Sequence, residues 1–126
     1  MIGSTRKVRV WAYSGPADLR KGYDGLCALV RQSMKLDPLS GDLFLFANRA
    51  RDRAKVLTWD GTGLCIYMKR LERGRFASLW ELPAVGPLVL TTSELALFLE
   101  GSHLAGRVTL VPPDFRFETL AESPGV

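Results

Sequence analysis

The tetrapeptide Asp60-Gly61-Thr62-Gly63 does most to limit how this chain can fold. It stands between two β-type runs, Lys55 to Trp59 and Leu64 to Lys69. An Asp-Gly pair in that setting predicts a hairpin, because Gly adopts the positive φ that tight β-turns demand. Upstream, Leu43-Phe44-Leu45-Phe46 is short and wholly apolar, which fits a strand covered on both faces. The polar stretch Asn48 to Arg53 connects it to the hairpin. The three runs together predict an antiparallel meander.

The flanking segments supply the layers that pack on it. Lys7 to Tyr13 alternates Val8, Val10 and Ala12 with larger or charged residues and reads as a strand. Ser14-Gly15-Pro16 breaks it, and a helix is expected over Ala17 to Met34. Leu19, Tyr23, Leu26, Cys27, Val30 and Met34 recur at spacings of three and four, marking its apolar face. Gly22 and Gly25 each weaken a helix by up to ~1 kcal/mol relative to Ala. They signal close packing or an irregular first turn. Asp37 to Gly41 is a turn, and Leu88-Val89-Leu90 a further short strand. Thr91-Thr92-Ser93-Glu94 has the form of a capping box, opening a short helix that ends at Gly101 and buries Leu95, Phe98 and Leu99. Val108 to Val111 suits a last strand before Pro112-Pro113. A chain of 126 residues supports one hydrophobic core, not two. The expectation is a single α+β domain over residues 1–111, an antiparallel sheet with one longer and one shorter helix packed on it. Residues 112–126 are expected to form a mobile tail.

Little in the sequence points to catalysis. Asp18, Asp24, Asp37, Asp42, Asp52 and Asp60 fall at helix starts, turns or connectors, where Asp serves capping and turn chemistry. They do not cluster as a two-metal site requires. His103 is the only histidine, and no phosphate-binding glycine fingerprint is present. No cofactor, metal or small-molecule substrate is therefore expected. Cys27 and Cys65 lack C-x-x-C spacing and have apolar neighbours, so both are expected to be reduced, core-type thiols. Met1 to Arg9 lacks the apolar stretch of a secretory signal, and no apolar run is long enough to span a bilayer. A cytoplasmic protein with no membrane contact is the expectation.

Charge is the informative property. Residues 1–75 carry 15 Lys+Arg against 7 Asp+Glu, while residues 76–126 carry 2 against 6. Such a split points to a polyanionic partner for the first part. In an antiparallel meander, the connector after the first strand and the segment after the third lie at the same end of the sheet. Arg49, Arg51, Arg53 and Lys55 then meet Lys69, Arg70, Arg73 and Arg75, opposed only by Asp52 and Glu72. Focused positive charge of this kind attracts phosphates. The competing readings are a protein-docking surface and a solvated sheet end with weak ion pairs such as Arg49/Asp52 and Arg73/Glu72. Arg9, Trp11 and Tyr13 share one strand face, which suits base stacking or half-burial against a neighbour.

Several of these segments look familiar when taken in order. They are Val8-Arg9-Val10-Trp11, Asp18-Leu19-Arg20-Lys21-Gly22-Tyr23-Asp24-Gly25-Leu26, Asp37-Pro38, Gly41-Asp42-Leu43-Phe44-Leu45-Phe46, Lys55-Val56-Leu57 and Asp60-Gly61. Lys69-Arg70-Leu71-Glu72-Arg73-Gly74-Arg75-Phe76 and the Leu95 to Gly101 helix end complete the set. In this order and spacing, from Val8 to Gly101, the chain resembles the TnpB accessory-protein family of insertion-sequence-66 transposable elements. One departure is visible: the family often places Trp-Pro directly after the Arg-Phe, whereas here Ala77 to Leu82 intervene and Trp80 and Pro83 are apart. The resemblance implies a non-catalytic accessory protein needed for DNA transposition, with catalysis in a separate transposase. Its partners would be that transposase, another accessory protein, and DNA. Whether the basic pole contacts DNA or docks on protein stays open between the two.

Overall fold

The computed structural model describes residues 7–81 and 88–101. Its elements in order are β1 (Val10–Ala12), α1 (Tyr23–Gln32), β2 (Leu43–Ala47), β3 (Arg53–Trp59), β4 (Leu64–Arg70), β5 (Leu88–Leu90) and α2 (Thr92–Glu100). The expected strand Val108–Val111, the expected tail 112–126 and His103 lie outside the described residues.

The strands form one five-stranded sheet in the order β4-β3-β2-β1-β5. β2, β3 and β4 make the antiparallel meander, with Phe44 opposite Leu57 and Arg53 opposite Arg70. The sheet as a whole is mixed rather than antiparallel throughout. β1 runs parallel to β2, with Val10 beside Leu43, and β5 runs antiparallel to β1. The reason lies in the connection. A tight turn returns a strand antiparallel, whereas the long segment from Ala12 to Leu43 carries α1 across a face and brings the chain back in the same direction.

β2 sits at the middle of the sheet and explains its own sequence. Leu45 and Ala47 face one side, Phe44 and Phe46 the other, and all four are fully buried. On the first side they join Val10, Ala12, Ala54, Val56, Phe76, Leu79, Leu90, Leu95 and Phe98, under α2 and the segment after β4. The Phe76 and Phe98 rings stack there with centroids 4.9 Å apart. On the second side Phe44 and Phe46 pack with Leu26, Cys27, Val30, Met34 and Leu57, under α1. A strand covered twice has no solvent face to make polar, so the run is apolar throughout.

The longer helix is shorter than its periodicity suggests. The Asp18 carboxylate accepts from the backbone N–H of Arg20 at 3.0 Å, and the Lys21 N–H reaches the Asp18 carbonyl. This closed turn delays helix entry to Gly22, which caps without a side-chain bond. Tyr23, assigned to the apolar face by spacing, lies in the first turn and is exposed. The short helix follows its sequence. The Thr91 hydroxyl accepts from the Glu94 N–H at 3.0 Å, and the Glu94 carboxylate accepts from the Thr91 N–H at 2.8 Å. Leu95 and Phe98 are buried as expected, and Leu99 packs at the margin of the same core.

The two cysteines are unpaired, but only Cys27 is a core thiol; Cys65 is exposed. It stands on β4, the outermost strand, on a face that no helix covers at that point. Apolar neighbours in sequence do not bury a residue on a sheet edge.

Candidate nucleic-acid interface

The connector between β2 and β3 is built around Asn48. Its side-chain oxygen accepts from the backbone N–H groups of Asp52 and Arg53, both at 3.1 Å, while its amide donates to the Asp52 carboxylate at 2.7 Å. Arg51 takes positive φ, at 60°, inside this loop. Two long-range bonds then tie in the segment after β4: the Leu71 N–H donates to the Asp52 carbonyl and the Phe76 N–H to the Arg51 carbonyl. The loop and the basic segment are thus stitched together through the backbone. Both connectors stand at one end of the meander, as its topology requires.

Side chains divide the pole. Arg53 and Arg70 are direct cross-strand partners on the α1 face, and both are exposed. Lys55 lies two residues along the same face, and its ammonium donates to the Lys21 carbonyl at 3.0 Å. Lys69 points to the opposite face, where its ammonium donates to the Leu99 carbonyl at 2.6 Å. That places a cation at the C-terminal end of α2, where the helix dipole favours it. Both lysines therefore fasten the framework. Arg49, Arg73 and Arg75 are exposed and Arg51 half-buried. The two acids of the pole have partners other than the expected ones. Glu72 pairs with Arg70 at 3.1 Å, not Arg73, and Asp52 bonds Asn48, not Arg49.

Beside the pole lies an open groove of about 460 Å³. Asp18 and Arg20 form one wall, and Asn48, Arg53, Met68 and Arg70 the other. Arg20 grips Asp18 with two nitrogens, each at 2.9 Å. Those side-chain bonds, with the Arg20 backbone N–H, hold the Asp18 carboxyl down to about 2. The groove brings together two segments distant in sequence, Asp18 to Arg20 and the end of β4 at Met68 and Arg70. Charge counting missed Arg20 because its segment reads as helix; the closed Asp-x-Arg turn was the available signal.

The aromatic face of β1 is not an open stacking surface. The Trp11 indole N–H donates to Asp42 at 3.0 Å, and the Arg9 backbone N–H to the same carboxylate at 3.1 Å. Trp11 and Tyr13 pack against the core under α1, with the Tyr13 ring 5.9 Å from Phe46. Among the described residues no group of three or more His, Cys, Asp or Glu is placed to hold a metal ion. None of their helices is long and apolar enough to cross a membrane.

The family described as IS66 Orf2 like protein matches residues 8–108. Two relatives come from Sinorhizobium fredii (strain NBRC 101917 / NGR234). The uncharacterized protein y4hO is 39% identical over 101 residues, covering 80% of this chain and 86% of its own length. The uncharacterized protein y4jC is 37% identical over 103 residues, covering 80% and 85%. No solved structure matches the chain.

Proposed function

This chain belongs to the IS66 Orf2-like family and is a transposition-associated accessory protein; we propose that it contacts the DNA backbone through its basic pole and performs no catalysis of its own. The observation that carries the reading is the backbone stitching of the two connectors. It holds Arg49, Arg51, Arg53, Arg70, Arg73 and Arg75 at one end of the sheet. Lys55 and Lys69 add charge there and position it through their bonds to main-chain carbonyls. A non-catalytic role is supported by what the aspartates do. Asp18 bonds Arg20, Asp37 accepts from the Leu39 N–H, Asp42 ties Arg9 to Trp11, Asp52 bonds Asn48, and Asp60 closes the hairpin turn.

Backbone neutralisation predicts sequence-independent duplex binding with Kd on the order of 10⁻⁴ to 10⁻⁶ M at physiological salt. The logarithm of affinity falls linearly with the logarithm of salt, at about −0.9 per phosphate contact. Arg49→Glu with Arg73→Glu changes two exposed side chains and leaves the stitching bonds intact. The double variant is expected to stay folded, bind more weakly and show a flatter salt slope. Unchanged affinity and slope in a folded variant would reject the proposal.

A second reading, docking on the transposase, is favoured by the groove. Of its arginines, Arg20 and Arg70 are already paired, with Asp18 and Glu72, and the lining includes the apolar Leu19 and Met68. It predicts that Arg20→Glu, in the groove wall, keeps the DNA affinity yet loses binding to purified transposase.

A further inference from the structure

We infer that β4 is a self-association edge, and that two copies of this chain pair through it as antiparallel strands about a two-fold axis at Tyr67. β4 is the outermost strand of the sheet among the described residues and runs for seven residues, against three for β5 at the other border. The phase of its ladder shows what it presents outward. Leu71 donates to Asp52 at one end of the β3–β4 pair, and Asp60 donates to Gly63 at the other. Alternation between these fixed points directs the N–H and C=O groups of Lys69, Tyr67 and Cys65 toward β3. Those of Arg70, Met68, Ile66 and Leu64 point away from the sheet.

Apart from Arg70, which is paired with Glu72 at the end of the strand, the usual guards of an edge are missing from this one. Proteins protect exposed strands with proline, bulges or lysines that project at the border. β4 contains no proline. Its lysine, Lys69, is turned across the sheet to the Leu99 carbonyl. Tyr67 and Met68 are 55% and 61% exposed, on opposite faces of the same strand.

The strand is also complementary to itself, in one orientation only. An antiparallel pair centred on Tyr67 matches all seven residues. Met68 then lies opposite Ile66 of the second copy and Arg70 opposite Leu64, each pair joined through its outward backbone groups. Lys69 falls opposite Cys65, and the two Tyr67 rings meet at the axis in a close, non-hydrogen-bonded pair. No like charges face each other. A parallel pair in register would set Lys69 and Arg70 beside their own copies, which is destabilising. In the antiparallel assembly the two basic poles stand at opposite ends of the shared ladder. At about 3.4 Å per residue they are roughly 20 Å apart.

Sedimentation or light scattering on the full chain tests this without DNA. The expected mass is twice that of the monomer. Met68→Pro removes an outward N–H and no internal ladder bond, so it is expected to give a folded monomer. Tyr67→Cys keeps the test decisive should that variant fail to fold: mild oxidation is expected to join two chains through residue 67. The parent chain is expected not to crosslink, because Cys65 faces Lys69 rather than its own copy. Val89→Cys, on the other border, is expected to remain uncrosslinked as well. A parent chain that is monomeric at every accessible concentration would overturn the inference. So would a dimer that crosslinks through residue 89 and not through residue 67.

Discussion

Asp60 and Cys65 interact across the end of the β3–β4 hairpin, and both acquire testable chemistry from it. The Asp60 carboxylate accepts from the N–H groups of Thr62 and Gly63 at 2.9 Å, from the Thr62 hydroxyl, and from the Cys65 thiol at 3.5 Å. Chiefly the two backbone bonds hold its carboxyl down to about 2. A depressed carboxylate contributes stability that is fully present above the unfolded pKa of about 3.9 and is lost as pH falls through the folded value. An NMR titration of the Asp60 carboxyl carbon is therefore expected to show a midpoint near 2. A midpoint near 4 would mean the turn bonds are not formed in solution. Local desolvation and the bond to Asp60 push the Cys65 thiol up, and burial pushes the Cys27 thiol up. Neither is an activated nucleophile, and exposure decides which one reacts. A thiol reagent is expected to modify one cysteine promptly in native protein, Cys65, and the second only on unfolding. Prompt modification of both would place Cys27 outside the core.

At the scale of elements, the first helix shows how two glycines with similar propensities differ in role. A Cβ on Gly25 would stand 2.8 Å from Cβ of Lys21, which belongs to the closed turn before the helix. Nothing lies within 4 Å of a Cβ on Gly22. By propensity alone Gly25→Ala gains up to ~1 kcal/mol in a helix, but here the Lys21 backbone must move and the Asp18–Arg20 turn opens. Gly25→Ala is expected to destabilise the protein. Gly22→Ser places a hydroxyl at the helix cap and is expected to stabilise it by a few tenths of a kcal/mol. Urea unfolding of the two variants checks the contrast; a stabilised Gly25→Ala would show that the turn does not press on the helix. At α2, Thr91→Ala removes one arm of the capping box and is expected to cost about 1 kcal/mol. These elements also mark what was legible beforehand. The capping box and the hairpin turn are local chemistry with fixed spacing, and both appear where the sequence puts them. The start of α1 was not legible, because 3.6-residue periodicity records which residues face the core and not whether the backbone between them is helical. Leu19 packs on that core from a turn.

For the molecule as a whole, the parallel entry of β1 follows from long-range pairing, which local patterns do not encode. The apolar run at β2 did forecast a doubly covered strand. The basic pole was legible as a convergence of connectors, because antiparallel topology fixes which loops share an end. Its division between two faces was not, since that depends on the register setting Arg53 opposite Arg70 and Lys69 opposite Ala54. The arrangement has a consequence for cooperativity. Phe44 and Leu45 are neighbours in one strand yet belong to different cores, one under α1 and one under α2. Neither layer can lose its packing without disturbing the strand that supports the other, so the molecule should unfold as one unit. Phe44→Ala is expected to cost about 3–5 kcal/mol and Leu45→Ala about 2–5 kcal/mol. Each should lower a single transition rather than split it. Variants retaining one tryptophan report the two sides separately, because Trp11 packs with the α1 core and Trp80 with the other. With Phe44→Ala in place, the Trp11 and Trp80 fluorescence transitions are expected to coincide in urea, and both to coincide with loss of far-ultraviolet circular dichroism. If Trp11 reported unfolding at lower urea than Trp80, the two layers would be independent and β2 would not couple them.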